Sequence, residues 1–340
     1  MVLLFFVIVS CKNESSDTPS PEAQEVEKDV FASVEHLGVC YGPYHNDGQA
    51  PLDTAISKAQ MEADLTLISK NFDFFRTYTV ADSMDQVVGI AASLGLELAL
   101  GAHCYPDDSV TTIAEIDKAI MAAKQHPSTV MCIVIGNETN LKYQNPNYVP
   151  PAKVAEYMDY AHTKMIAEGL DMPLSACITG TGADDKNTYP HEDYAGPILQ
   201  KCKDLNKVHH RLIFLTIYPY FGAGSNPANI DGNMQWSYEH GMSNAEDNFD
   251  LCVMIGEIGW PSANDGKPTS RENVANMETN FKASLNWVDG KNIYNKAYNS
   301  FWFEMFDEPW KVKYGPIESY WGLYEKNGAQ TPKFPIPDLH

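Results

Sequence analysis

The chain has 340 residues, of which 44% are hydrophobic, enough to build the core of one large domain. It carries 45 acidic against 24 basic side chains, a formal net charge of −21, which argues against binding to nucleic acid or to anionic membrane surfaces. A neutral substrate such as an uncharged polysaccharide is not repelled, and 18 Tyr and 6 Trp offer faces on which sugar rings stack.

In chain order, the first feature is MVLLFFVIVSCKNESS. Its apolar stretch is too short to span a bilayer, so residues 1–10 read as a signal peptide. The end of that stretch, Ile8-Val9-Ser10-Cys11, resembles the lipobox of bacterial lipoproteins. The resemblance implies cleavage before Cys11 and lipidation of its thiol. No Lys or Arg precedes the apolar run, and a plain secretory peptide with a chance Cys is the alternative. Residues 11–33, rich in Glu, Ser and Pro, read as a flexible tether whose polar start also resembles the surface-export signal of Bacteroidetes lipoproteins. The expected location is therefore the bacterial outer membrane, held by a lipid on Cys11; without the anchor it is the periplasm or the medium.

From residue 34 to 340, short apolar runs alternate with longer amphipathic segments. Eight runs read as strands: 37–42, 73–78, 96–102, 130–136, 174–179, 212–218, 251–256 and 299–305. They are continuous rather than alternating, as strands buried on both faces are. Helices are expected over 53–70, 82–94, 112–126, 151–169, 193–206, 232–245 and 271–289, with Pro150, Pro151 and Pro190 near starts where proline is tolerated. Eight strands alternating with helices predict an α/β fold, a single (β/α)8 TIM barrel forming one catalytic domain. A doubly wound sheet would need a phosphate loop after the first strand, and GVCYGPY is not G-x-G-x-x-G.

Besides Cys11 there are Cys40, Cys104, Cys132, Cys177, Cys202 and Cys252, four of them inside strand-like runs, where Cys acts as a small apolar filler. No spacing selects a disulfide pairing, and no disulfide framework is expected. The chain lacks CxxC and HExxH, so no metal and no cofactor is expected. His103, beside Cys104, reads as packing or substrate contact.

Chemistry-bearing residues gather at the carboxyl ends of the runs. Tyr41 ends the first, Arg76-Thr77-Tyr78 the second, Asn137-Glu138 follow the fourth, and Tyr218-Pro219-Tyr220 close the sixth. Glu257 and Trp260 follow the seventh, and Glu304, Phe306, Asp307, Glu308, Trp310 and Lys311 the eighth. In a parallel barrel these ends share one face, where active sites lie. A carboxylate just past a buried strand has little structural purpose, and Glu138 and Glu257 sit on strands well separated around the barrel. They read as a pair flanking a scissile glycosidic bond. Arg76 reads as a buried partner of a carboxylate, Glu257 being a candidate.

These motifs resemble glycoside hydrolase family 17, the β-1,3-glucanases and related glucanosyltransferases. LGVCYGPY, FFRTY, LGLELALGAH, VIGNET, TIYPYF, GEIGWPS and FWFEMFDEPWK…ESYWGLY occur in family order across residues 37–324. The resemblance implies Glu138 as general acid/base and Glu257 as nucleophile of a retaining reaction, with carboxyl groups about 5–5.5 Å apart. It implies that Asn137 contacts the sugar 2-hydroxyl, and that Tyr41, Tyr78 and Tyr218 line the cleft and orient Glu257 or the sugar. Trp260, Glu304, Phe306, Glu308 and Lys311 are implied as further substrate-binding positions. For Glu308 and Lys311 a plain salt bridge is the alternative. Cys40, Gly256 and Ile258 depart from the family pattern.

The expected function is hydrolysis of laminarin-type β-1,3-glucan by double displacement, with a β-glucan as the partner and the chain acting as a monomer. A glucanosyltransferase would use the same pair. A non-catalytic glycan-capture lipoprotein is the reading from outside the enzyme class.

Overall fold

The computed structural model describes residues 37–142, 146–185, 193–222 and 225–340. The signal peptide, the tether, Cys11 and Pro190 lie outside the described residues.

Eight parallel strands close in chain order into one barrel. They are β1 (Leu37–Cys40), β2 (Phe74–Arg76), β3 (Glu97–Ala102), β4 (Val130–Asn137), β5 (Leu174–Thr179), β6 (Leu212–Thr216), β7 (Cys252–Ile258) and β8 (Ser300–Trp302). β8 pairs back onto β1, with Leu37 opposite Ser300. This is the expected (β/α)8 barrel, and every expected run is a strand. Four ladders stop early, before residues 42, 78, 218 and 305. There the chain leaves the sheet to build the mouth.

The helices are α1 (Lys58–Ile68), α2 (Val87–Leu94), α3 (Ser109–Gln125), α4 (Pro151–Ala167), α5 (Gly196–Asp204), α6 (Asp231–Ser237), α7 (Ser243–Phe249) and α8 (Val274–Val288). Local chemistry sets their starts: Ser57, Asp108 and Asn273 accept the amides of Gln60, Thr111 and Asn276. Pro151 opens α4, where its missing N–H is harmless. The one helix expected over 232–245 is two, joined by a π turn at Tyr238–Met242. The turn falls where the segment crosses the β5 loop, and a Cβ on Gly241 would lie 2.4 Å from the Gly180 carbonyl.

Each strand contributes to a buried lumen, including Cys40, Phe74, Ala99, Cys132, Cys177, Phe214, Met254 and Phe301. A second, larger core lies between the outer face of the strands and the helices. Cys40, Cys132 and Cys177 are therefore lumen filler. Among the described residues no helix is long and apolar enough to cross a membrane.

Candidate active site

Glu138 follows the last residue of β4. Its φ is 49°, a left-handed conformation uncommon for a residue with a side chain. Its amide donates to the Cys177 carbonyl of β5 at 2.9 Å, fixing the turn. The Thr216 hydroxyl, at the end of β6, donates to Glu138 Oε1 at 2.5 Å. Desolvation in the mouth, and next the charge of Glu257, push the Glu138 carboxyl up to about 7; Thr216 and Arg76 offset only part of this.

Glu257 lies near the end of β7, where the register slips against both neighbours, between Leu215 and Thr216 on β6 and across Ile255–Ile258 toward β8. Such a bulge re-aims a side chain. The Tyr218 hydroxyl donates to Glu257 Oε2 at 2.6 Å. Arg76 Nη1 lies 3.3 Å from Glu257 Oε1. This is the carboxylate partnership expected for Arg76. The same guanidinium donates to the Gly256 carbonyl at 2.8 Å and to Asn137 Oδ1 at 2.5 Å, so one lumen side chain from β2 ties β4 to β7. Burial first, then the Glu257 charge, hold the Tyr218 phenol well above its ordinary range, so it remains a donor.

A third group stands beside the pair. Lys311 Nζ lies 2.7 Å from carboxylate oxygens of both Glu304 and Glu308. Glu308 Oε1 also accepts the Tyr44 amide at 3.2 Å. A Cβ on Gly42 would lie 2.5 Å from Glu308 Oε1, so any larger residue there must displace the Glu308 carboxylate. Burial alone would lower the Lys311 pKa, but the two carboxylates more than reverse this and hold the ammonium charged.

A cavity of about 390 Å³ opens over these residues, floored by Tyr41, Tyr78, Asn137, Glu138, Glu257 and Lys311. Glu308 lines it as well, so Glu308 and Lys311 are at once a salt bridge and part of the wall. Three expected substrate contacts are corrected. Trp260 is fully buried, with its indole N–H donating to the Arg271 carbonyl and its ring against Tyr220. Phe306 is fully buried against the His45 ring at 4.4 Å. Glu304 is 1% exposed and turns both oxygens to Lys311. Each follows a strand end, but the chain folds back there and packs the side chain beneath the mouth. Tyr41 lines the cavity with its hydroxyl turned away, donating to Asp64 at 2.8 Å.

The walls also hold Tyr44, Leu52, Tyr105 and Tyr314, none of them singled out from the sequence, along with Trp310 and His103, which the sequence did mark. They come from irregular loops after β1, β3 and β8, where no periodicity marks a side chain's direction. Among the described residues no cluster of three His, Cys, Asp or Glu is placed to hold a metal ion.

A parallel barrel carrying two carboxylates at the carboxyl ends of β4 and β7, beneath an aromatic cleft, has the architecture of a glycoside hydrolase. The chain belongs to the BtgE/BtgC glycoside hydrolase domain family, whose pattern it matches over residues 38–322. It is 25% identical over 321 residues to a glucan 1,3-beta-glucosidase of Arthroderma benhamiae, covering 90% of this chain and 91% of that protein. It is 24% identical over 221 residues to a probable glucan endo-1,3-beta-glucosidase btgC of Aspergillus flavus, covering 60% of this chain and 28% of that longer protein. Among solved structures, an endo-laminarinase from Formosa superposes with a TM-score of 0.63 at 18% identity, covering 86% of this chain and 83% of that one. A family 17 β-1,3-glucanosyltransferase from Rhizomucor miehei superposes with a TM-score of 0.62 at 18% identity, covering 89% and 97%. The family 17 resemblance read from the motifs thus holds at the level of family and fold.

Proposed function

We propose that this chain is a retaining glycoside hydrolase that cleaves β-1,3-glucan. The observation that carries the reading is the unequal pair in the mouth. Glu257 is met by two donors, Arg76 and Tyr218, which suit a charged nucleophile. Glu138 is enclosed so that its carboxyl holds a proton up to about pH 7, which suits a general acid. Glu257 attacks the anomeric carbon while Glu138 gives its proton to the departing oxygen, and the glycosidic C–O bond breaks. The product is a glycosyl ester on Glu257 and a Glu138 carboxylate. Glu138 then takes a proton from water, the water oxygen attacks the anomeric carbon, and Glu257 leaves as carboxylate. A sugar hydroxyl in place of that water gives transfer instead of hydrolysis. The names of the relatives support a 1,3-linked glucan as substrate.

Glu257→Ala is expected to abolish release of reducing ends from laminarin while oligosaccharide binding persists. Undiminished hydrolysis by this variant would sink the assignment. Products longer than the substrate, from a reduced laminari-oligosaccharide, would move the reading to transglycosylation. We further infer that residues 1–10 are removed and that Cys11 carries a lipid anchoring the enzyme to the bacterial outer membrane. Cys11→Ser should then move the protein from the membrane fraction to the soluble fraction, and no change on fractionation refutes the anchor.

A further inference from the structure

One wall of the cleft carries an unusual side chain. Leu52, in the loop after β1, has φ 67° and is 62% exposed, yet it lines the same cavity as Glu138 and Glu257. A leucine is strained at that φ, which glycine adopts freely, and an exposed apolar side chain gains nothing from burial. Asp82, itself at φ 52°, fastens this loop. One oxygen, Asp82 Oδ2, accepts both the Leu52 amide at 2.6 Å and the Tyr44 hydroxyl at 2.7 Å. The Asp82 carbonyl accepts the Ile56 amide at 2.9 Å, so the loop is stapled at both ends.

The staple continues into the segment after β8. Tyr44 sets its ring edge-on to Trp310 at 6.2 Å, and Trp310 meets Tyr314 in the same manner at 5.8 Å. Tyr314 is 54% exposed and lines the cavity with Lys313, whose ammonium lies 5.1 Å from its ring centre. Leu52 and Tyr314 are thus large apolar groups at the rim of one cavity, linked through Asp82, Tyr44 and Trp310. Tyr314 keeps its contacts with Trp310 and Lys313, but more than half of its surface, like that of Leu52, stays open. Backbone strain that the surroundings over-determine is a mark of a ligand clamp.

We propose that Leu52 and Tyr314 form a clamp for one glucosyl ring, distal to the scissile bond, and that Asp82 positions it. The clamp rests on the glycoside hydrolase reading above and adds a chain-length preference to it. A glucan long enough to reach the rim lays a sugar face on Tyr314 and its neighbouring edge on Leu52; a shorter one leaves the clamp empty. The enzyme therefore gains specificity in one step at the length that fills this site.

The test compares laminari-oligosaccharides of increasing length, measuring kcat/KM for the intact enzyme and, separately, affinity by calorimetry in a Glu257→Gln background. The expected result is one upward step in both series. Leu52→Gly and Tyr314→Ala should each shrink that step by about three- to tenfold. Asp82→Ala should do the same, while Asp82→Asn, which retains an acceptor oxygen, should restore it. Leu52→Gly should not lower Tm, because it relieves the backbone; a loss of the step therefore does not come from misfolding. Equal losses at every length, or a step that survives the variants, overturn the clamp. Turnover without a step removes the clamp and keeps the hydrolase; a binding step without turnover does the reverse.

Discussion

Glu138 is the residue at which stability and function pull apart. Folding lifts its carboxyl from an ordinary value of 4.5 to about 7. Between those values the native state binds a proton that the unfolded chain has lost, so this group's contribution to stability is fully present below 4.5 and is lost as pH rises through 7. Glu138→Gln removes the buried charge and keeps an oxygen for Thr216. The variant should melt about 2–4 °C above the wild type at pH 8, with the difference vanishing near pH 4. A wild type and variant that melt in parallel from pH 4 to 8 would show that Glu138 is not forced to ionise inside the mouth. With Glu138 as the proposed general acid, the same proton would set the rate, and kcat/KM should fall above about pH 7. Thr216→Val removes a donor to the charged form, so the basic limb should move upward. The two carboxylates were legible in the sequence because a charge just past a buried strand has few structural uses. Trp260 and Phe306 obey the same positional rule and failed it. An aromatic side chain past a strand can be folded under the mouth unaided, whereas a carboxylate there needs a buried partner, as Glu304 has in Lys311.

At the scale of elements, the bulge in β7 turns a strand into a site. Gly256 leaves room for Arg76: a Cβ there would lie 2.9 Å from Cys177 Sγ, 3.0 Å from Phe214 Cβ and 3.2 Å from Arg76 Nη1. Two of those neighbours are packed lumen atoms, and the third is the guanidinium that holds Glu257. Gly256→Ala should therefore cost about 1–3 kcal/mol in urea unfolding and should also lower kcat, since the atom that gives way most easily is Arg76 Nη1. Loss of stability with kcat unchanged would mean that the lumen yields instead and the Arg76–Glu257 contact does not position Glu257 for turnover. The eight strands were legible because each is apolar along its length, buried in the lumen on one face and under helices on the other. The split between α6 and α7 was not. It depends on a close approach to the Gly180 carbonyl some sixty residues away, which no local pattern encodes. The loop walls were illegible for a related reason: Leu52 is placed by Asp82 rather than by its own neighbours.

For the molecule as a whole, the barrel was readable and the charge sets how it meets a substrate. A net charge of −21 surrounds a mouth whose own charges are largely paired: Arg76 with Glu257, and Lys311 with Glu304 and Glu308. The recognition elements of the walls are aromatic, and stacking on a neutral sugar involves no counterion exchange. For neutral laminarin, kcat/KM should therefore change less than about twofold between ~20 mM and ~500 mM NaCl, since salt screens only interactions between charges. A carboxymethylated glucan must instead approach through a repelling field, and its kcat/KM should rise with salt as that field is screened within about 3–10 Å. The comparison separates the surface from the site. If neutral laminarin is strongly salt-dependent, charged groups of the cleft are meeting substrate dipoles directly and the aromatic walls are not the main source of affinity. If the anionic glucan shows no rise, the acidic surface lies too far from the mouth to govern what enters it.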